Sequence, residues 1–396
     1  MNIGIDACCW NNKRGFGRFT RELLQALIDI DHKNNYWFFV DKETFVGNVF
    51  PDGVEVVVVD TDVSPTQAAS ASGRRSIGDL WAMTRKVWQY DLDLFFFPTH
   101  YTYYPILNRT KIIGAFHDMT AKRFPDEIFP NRKLRLFWNM KERLAIWQSH
   151  LILTVSEYSK REIIKFYKIP ESRVRAITEG PKSVFKKLPH DEKLAQALHR
   201  YQLGPSERFL LYVGGISPHK NLRSLIRTYL ELIKAPSFSD IKLVLVGDYQ
   251  TDSFYSDYPV LHGLVNDLHL EKKVIFTGYI EDKELAYFYN AAALLVFPSL
   301  QEGFGLPAIE AMASGTPVAA SNAGALPETL GDVGRYFDPY DPVQMLGVIK
   351  SVLSNDDLRK KMSREGLERA KQFSWEKAAK DLLAIFDKVA NDNQKH

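Results

Sequence analysis

The stretch "EGFGLPAIEAMASGTPVAAS", Glu302 to Ser321, sets two carboxylates eight positions apart in a run otherwise made of small and apolar residues. Gly303 and Gly305 loosen the backbone after Glu302, Pro307 suits the first turn of a helix, and Gly315 suits its stop. Glu302 then falls in a loop and Glu310 in the opening turns of a helix, roughly 10 Å apart or less given the helical rise per residue. Helix-start N–H groups lie between them and, with the helix dipole, favour a phosphate. A carboxylate on either side accepts hydrogen bonds from hydroxyls. The combination suits a ligand carrying phosphates and two polyols, such as a nucleotide sugar; two solvated glutamates on a surface loop and helix are the plainer alternative.

Such a site needs a frame. "VFPS" before the segment and "PVAAS" at its end read as strands, so the unit is strand, glycine loop, helix, strand, the building block of a parallel α/β sheet. The same alternation runs along the chain. "NIGIDAC", "YWFFV", "VEVVVV", "DLFFFP", "KIIGAFHD", "LILTVS" and "VRAIT" read as strands of a first series, with helical patterns such as "FTRELLQALIDI" and "SKREIIKFYKI" between them. A second series starts near Arg208 with "FLLYVGG", "KLVLVGD", "KVIFTGYI", "ALLVFPS" and "TPVAAS". "KKLPHDEKLAQALHRYQLGPSE" is polar and separates the halves as a hinge, "SPTQAASASGRRS" (Ser64 to Ser76) reads as a mobile surface loop, and "FSWEKAAKDLLAIFDKVA" is an amphipathic helix after the last domain. The expected architecture is two doubly wound, Rossmann-like domains facing across a cleft, with ligands at the carboxyl ends of the strands.

Composition agrees with this frame. At 396 residues the chain exceeds what one hydrophobic core usually supports, and 45% hydrophobic with 25% charged residues is ordinary for a globular protein. Its two cysteines, Cys8 and Cys9, are adjacent, which implies neither a disulfide framework nor a zinc site and fits a reducing compartment. There is no signal-peptide pattern and no apolar run of about 18 residues, so the expected location is cytoplasmic. The net charge of +3 hides an asymmetry: between Tyr101 and His190 stand 18 Lys and Arg against 8 Asp and Glu, a local balance of +10. Within it, "RKLRLFWNMKERLAIWQ" (Arg132 to Gln148) mixes cations with Leu, Phe and Trp. The preferred reading packs its aromatics inward and solvates its cations; peripheral contact with anionic lipid headgroups is the alternative. Nucleic acid is not expected, because no recognised binding module accompanies the charge.

These motifs occur in a recognisable order: "GFGRFTREL" near the start, "HDM" at His117 to Met119, "VSEYSKRE" at Val155, "YVGGISPHKNL" at Tyr212, and the E-x7-E element Glu302 to Glu310. In this the chain resembles the family 4 retaining glycosyltransferases of the GT-B fold over nearly its whole length. The resemblance implies an acceptor-side domain over residues 1–187 joined by a C-terminal helix over 375–396 that returns to it, and a nucleotide-sugar donor domain over 205–374. It also implies roles. Glu310 accepts hydrogen bonds from ribose hydroxyls, and Glu302 binds hydroxyls of the transferred sugar beside the backbone of Phe304 and Gly305. The Leu306 N–H meets a phosphate, Tyr279 and Ile280 hold the base through backbone atoms, and His117 orients the sugar. Asp118 either fixes the His117 tautomer or caps the next helix.

The chemistry can be argued beside the resemblance. Breaking a sugar–phosphate bond leaves a diphosphate whose growing charge fixed cations and dipoles can stabilise without a metal. Lys220, in "SPHKN" after an apolar strand, is placed for that and stands against the helix dipole, which favours a ligand role over a solvated one. Gly15 and Gly17 would let backbone approach a phosphate before a helix begins. One departure concerns Gly215, where many relatives carry an arginine as second diphosphate cation; Arg18 or another first-domain cation is the expected substitute. No cofactor and no metal are expected. "DTD" (Asp60 to Asp62) and "DLD" (Asp91 to Asp93) are the rival, since D-x-D holds a divalent ion in metal-dependent glycosyltransferases of the other main fold.

The expected reaction is transfer of a hexose from a nucleoside diphosphate sugar to a hydroxyl of a saccharide or lipid-linked acceptor, with retention. UDP-glucose or another UDP-hexose is the first expectation for the donor and GDP-mannose the second. A nucleotide-sugar epimerase would turn over donor without acceptor, and a catalytically silent sensor would bind donor and turn nothing over. A dehydrogenase is disfavoured because no dinucleotide fingerprint follows a strand.

Overall fold

Short apolar runs build two parallel sheets in the computed structural model, which describes residues 1–65, 76–129, 131–189, 191–204, 207–249 and 256–392. Most of the expected loop Ser64 to Ser76 lies outside the described residues. The chain forms two compact units: Met1–Glu179 with the segment from Ser374 onward, and Gly180–Phe373.

In the first unit, strands β1 (Asn2–Asp6), β2 (Asn35–Asp41), β3 (Val54–Val59), β4 (Leu94–Phe97), β5 (Lys111–Ala115), β6 (Leu151–Thr154) and β7 (Val174–Ala176) pair in the order β3-β2-β1-β4-β5-β6-β7. Every pairing is parallel. Parallel strands covered on both faces read as continuous apolar runs rather than alternating ones, and "LFFF" of β4 is buried throughout. The strand order reverses between β1 and β4, which is where such sheets open a crevice at their carboxyl ends.

Helix Trp375–Asn391 belongs to this first unit. Its Ser374 cap accepts a hydrogen bond from the Lys377 N–H at 3.1 Å. The helix packs along helix Gly15–Ile30, with Trp375 edge-on to Phe19 and Phe386 against Phe96 of β4. At its far end the Lys111 ammonium donates to the carbonyls of Val389 and Ala390, each at 3.0 Å, a cation placed where unsatisfied helix carbonyls gather.

The second unit repeats the plan. Strands β8 (Phe209–Val213), β9 (Lys242–Val246), β10 (Val274–Gly278), β11 (Leu294–Phe297), β12 (Val318–Ser321) and β13 (Arg335–Phe337) pair in parallel in the order β10-β9-β8-β11-β12-β13. The polar stretch read as a hinge contains helix Glu192–His199, capped by Asp191. That helix packs on helix Asp282–Ala291, and Tyr201 meets the Phe288 ring, so this part of the stretch is built into the second unit.

Helix Arg132–Gln148 corrects the reading made from its sequence. Trp138, Glu142, Ala145 and Ile146 face inward, but Phe137 and Trp147 are exposed, together with Leu136 and Met140. At 3.6 residues per turn the two sets lie on opposite sides of the helix, so it has an apolar face outside as well as inside.

Candidate functional site

The element carrying the two glutamates folds as its glycines dictate. After β11 the chain runs through Pro298 to Gly305 and enters helix Leu306–Ala313, with Pro307 in its first turn. Gly305 is the helix N-cap at φ +101°, in the left-handed region, and a Cβ there would lie 2.7 Å from Leu326 Cδ2. The helix therefore starts abruptly, with the Leu306 amide at its mouth.

Glu302 is held from behind by a residue that no motif singles out. Gly324, at φ +65°, presses its backbone so closely on Glu302 that a Cβ would stand 2.6 Å from the Glu302 nitrogen and 2.7 Å from its carbonyl oxygen. The Ala325 N–H donates to that same carbonyl at 3.0 Å. With its main chain clamped, Glu302 sends its carboxylate to Lys220: Nζ to Oε1 is 2.7 Å, both side chains mostly shielded.

Lys220 closes the single turn Pro218–Lys220 after β8, directly before helix Leu222–Ile233. Asn221 between them takes a left-handed conformation, φ +59°, and donates from Nδ2 to the carbonyls of Pro298 at 3.3 Å and Pro339 at 2.8 Å. Asparagine tolerates that conformation better than most side chains, so "HKN" is the one sequence signal that could have disclosed the device. The lysine turn is thereby tied to the end of β11, where the Glu302 loop begins.

Glu310 lies elsewhere in this constellation. It is 1% exposed, and its Oε2 accepts from the Tyr289 hydroxyl at 2.9 Å. Tyr289 sits on helix Asp282–Ala291, so the second glutamate is braced from inside the unit while the first is paired with a cation. Gly215 follows β8 and its carbonyl accepts from the Tyr212 hydroxyl at 2.8 Å. His219, beside Lys220, is neutral at ordinary pH: burial, aided by the Lys220 charge, lowers it to about 3. Arg223 is engaged with the buried Asp257, Nε to Oδ2 2.8 Å.

Tyr279 and Ile280 follow β10, the first partly exposed and the second buried. Beside this strand end, Tyr249 stacks on Tyr258 with centroids 3.9 Å apart, and its ring passes 3.8 Å from the Cβ position of Gly278. This aromatic pair at the carboxyl edge of β9 and β10 was not anticipated. Phe304 turns its ring to Phe373 and its carbonyl to the Thr329 hydroxyl at 2.6 Å, which anchors the loop between Glu302 and the helix.

In the first unit the glycines behave differently from expectation. Gly15 and Gly17 do not precede the helix; both are in it, in the first turn of Gly15–Ile30, with Arg14 as N-cap. The reason at Gly17 is contact: a Cβ there would lie 2.1 Å from the Asn12 carbonyl oxygen, a carbonyl that also receives Arg21 Nη1 at 2.6 Å. Gly15 has open space around it. Arg18 stands in the same turn, its N–H bonded to the Arg14 carbonyl at 2.9 Å.

His117 follows β5. Its Nε2 donates to the Pro98 carbonyl at 2.9 Å, its Nδ1 lies 4.0 Å from Glu179 Oε1, and Phe19 packs edge-on to the ring. Burial lowers its pKa to about 4, so the imidazole is neutral with the Nε2 proton fixed by a main-chain acceptor. Asp118 accepts from the Thr120 N–H at 2.8 Å, one residue before Met119, which is the N-cap of the following turn. Behind His117, Phe116 stacks flat on His100, which contacts Glu142 at 3.3 Å. Burial opposes the Glu142 charge, but the His100 contact and the Lys122 ammonium at 2.5 Å outweigh it and hold the carboxyl down at about 2. Tyr167 adds a hydrogen bond at 2.8 Å. No motif announced this buried network.

The D-x-D tripeptides serve local structure. Asp60 pairs with Lys42 at 2.9 Å, and Asp93 Oδ2 accepts from the Asn2 N–H at 2.7 Å, which fixes the entry of β4 against β1. Among the described residues no group of three or more His, Cys, Asp or Glu is arranged to hold a metal ion, and no helix is long and apolar enough to cross a membrane.

Comparison with known proteins gives the geometry a family. Residues 14–180 match the family model described as Glycosyltransferase Family 4, and residues 197–369 match the one described as Glycosyl transferases group 1. The O-antigen chain mannosyltransferase B of Escherichia coli is 34% identical over 279 residues, 70% of this chain and 70% of that protein. Sucrose-phosphate synthase from Thermosynechococcus elongatus gives a TM-score of 0.75 at 20% identity, covering 98% of this chain and 99% of that one. Anabaena HepE, solved in complex with UDP and glucose, gives 0.74 at 19% identity, again with 98% and 99% covered. With two Rossmann-like parallel sheets and both halves of the chain matched, this protein belongs to the family 4 glycosyltransferases and has the GT-B fold.

Proposed function

We propose that the protein transfers a hexose from a nucleoside diphosphate sugar to a hydroxyl of a saccharide or lipid-linked acceptor in glycan biosynthesis, with retention of configuration and without a metal. The observation that carries this is the Lys220–Glu302 pair, 2.7 Å apart where β8 and β11 end, beside the start of helix Leu306–Ala313. A cation, a carboxylate and a helix mouth gathered at a switch point are the groups that a diphosphate and a sugar ring require. In this reading Lys220 and the Leu306 amide take the charge that develops on the departing diphosphate, which is stabilisation by preorganised groups rather than by an ion. Glu302 accepts from sugar hydroxyls, and Glu310 from the ribose.

Nothing here requires a protein nucleophile. The acceptor hydroxyl attacks from the face the diphosphate leaves, and a diphosphate oxygen takes its proton. His117, neutral and held by Pro98, is read as orienting the transferred sugar rather than moving a proton. The first donor expected from sequence was a UDP-hexose. The similarity to an O-antigen mannosyltransferase moves a mannosyl donor, GDP-mannose, to the front, with UDP-glucose second. A lipid-linked acceptor would bring the protein to a membrane surface. A panel of GDP- and UDP-hexoses, read by nucleotide release with and without simple acceptors, tests the reading. Acceptor-dependent release from one donor supports it. Turnover without acceptor would favour an epimerase, and binding without turnover a sensor.

A further inference from the structure

The outer face of helix Arg132–Gln148 has no role in the donor site, and its make-up points to a partner. Leu136, Met140 and Trp147 are 63%, 62% and 75% exposed, with Phe137 beside them. Large apolar side chains standing together on one helix face, rather than scattered, mark a surface that something covers. A second helix, Ile77–Trp88, docks on the same face of the first sheet: Met83 and Val87 share one core with Ala145 and Ile146. The segment between β4 and β5 ties the two helices together, since Thr84 donates to the Pro105 carbonyl at 2.8 Å and Gln148 to the Ile106 carbonyl at 3.0 Å. The second helix exposes Trp81 and Trp88.

The charges on these two helices are sorted. Their only acids, Asp79 and Glu142, are buried. Their exposed charged side chains are all cations: Arg85 on one, and Arg132, Lys133, Arg135 and Arg143 on the other. Arg135 has a loose partner in Asp126 at 3.6 Å; Trp138 is turned inward with the Lys141 ammonium 4.1 Å over its ring.

We infer that this face is a membrane-docking surface, and that its occupant is the headgroup layer of an anionic bilayer. Tryptophan with leucine and methionine between basic residues suits the boundary between headgroups and acyl chains, where the rings enter and the cations meet lipid phosphate. A second copy of the chain is a poorer occupant. A two-fold contact would set this cationic face against itself with the acids of both helices out of reach. The inference stands apart from the donor-site reading, because vesicle binding needs neither nucleotide nor catalysis.

The test is co-flotation of the full chain with vesicles of phosphatidylcholine alone, or of an equimolar mixture with phosphatidylglycerol, at low and high salt. Binding is expected to the anionic vesicles and to weaken with salt. Met140→Glu combined with Trp147→Glu should lower partitioning by about tenfold or more, and each of Arg132→Ala, Lys133→Ala and Arg135→Ala by roughly fivefold. Unchanged thermal melting and nucleotide binding in the variants would show that the fold and donor site are intact. Absence of binding to anionic vesicles, equal binding to neutral ones, or variants that bind like the parent would overturn the inference. So would a dimer in sedimentation that dissociates on Met140→Glu, which would assign the face to a second copy.

Discussion

Lys220 Nζ stands 2.7 Å from Glu302 Oε1, yet the two residues come from opposite sides of a strand-order reversal, one after β8 and one after β11. The ends of the two strands bring the side chains together within the second unit. Each partner holds the other in place, so a diphosphate and a sugar hydroxyl arriving as proposed would meet groups already oriented for them.

Separating the two roles is the first prediction. Glu302→Ala should lower the transfer rate about a hundredfold or more, while leaving affinity for the nucleoside diphosphate within a few fold. Lys220→Ala should weaken nucleoside diphosphate binding about tenfold or more. Calorimetric titration with GDP and UDP beside initial rates distinguishes them; equal loss of binding in both variants would remove the sugar-facing role of Glu302.

Gly324 gives a contrast within one substitution type. Gly324→Ala puts a Cβ against the Glu302 main chain at φ +65°, and should cost about 1–3 kcal/mol in urea unfolding together with much of the activity. Gly347→Ala, inside helix Pro342–Leu353 with open space around it, should stabilise by about 0.5–1 kcal/mol and leave activity alone.

Removing the Tyr289 hydroxyl examines the second glutamate. Tyr289→Phe takes away the donor to Glu310 Oε2 in a buried setting, which should destabilise by about 1–3 kcal/mol. If Glu310 also receives the ribose, nucleoside diphosphate affinity should fall while the ratio of transfer to donor hydrolysis stays constant.

Two buried imidazoles set an acid response. Burial holds His117 at about 4 and His219 at about 3, against roughly 6.5 in an unfolded chain. As pH falls below the unfolded value, the unfolded chain takes up protons that the folded one refuses. Their contribution is therefore complete above the unfolded value and is lost progressively as pH falls toward the folded ones. Urea midpoints should drop over that window, less steeply in His117→Gln. The acid limb of kcat/KM should carry no inflection from His117 near neutrality.

The frame of this molecule was easy to read because parallel strands buried on both sides leave unbroken apolar runs. Strand β13 was missed, being three residues at a sheet edge with two of them only half-buried. The Glu302 loop was legible because glycines, a proline and carboxylates sit close together in sequence. Gly324, Asn221 and the His100–Glu142–Lys122 network were not, since each acts through contacts between segments far apart in the chain. The outward face of Arg132–Gln148 was misjudged for a related reason: its inner and outer faces are both apolar, and periodicity alone does not say which residues find the core.

Metal independence is an expectation with a direct assay. Transfer measured after dialysis against a chelator should match the untreated rate, since in the proposed reaction Lys220 and main-chain amides would supply the charge stabilisation. Loss of activity that only a divalent ion restores would reopen a metal-assisted reaction.

A crystal structure with GDP-mannose or a UDP-hexose bound decides the central claim. The expected density puts a diphosphate oxygen within about 3 Å of Lys220 Nζ and the Leu306 nitrogen, and a sugar hydroxyl on Glu302. A donor lodged away from the ends of β8 and β11, or one bound there with Glu302 turned from the sugar, would contradict it.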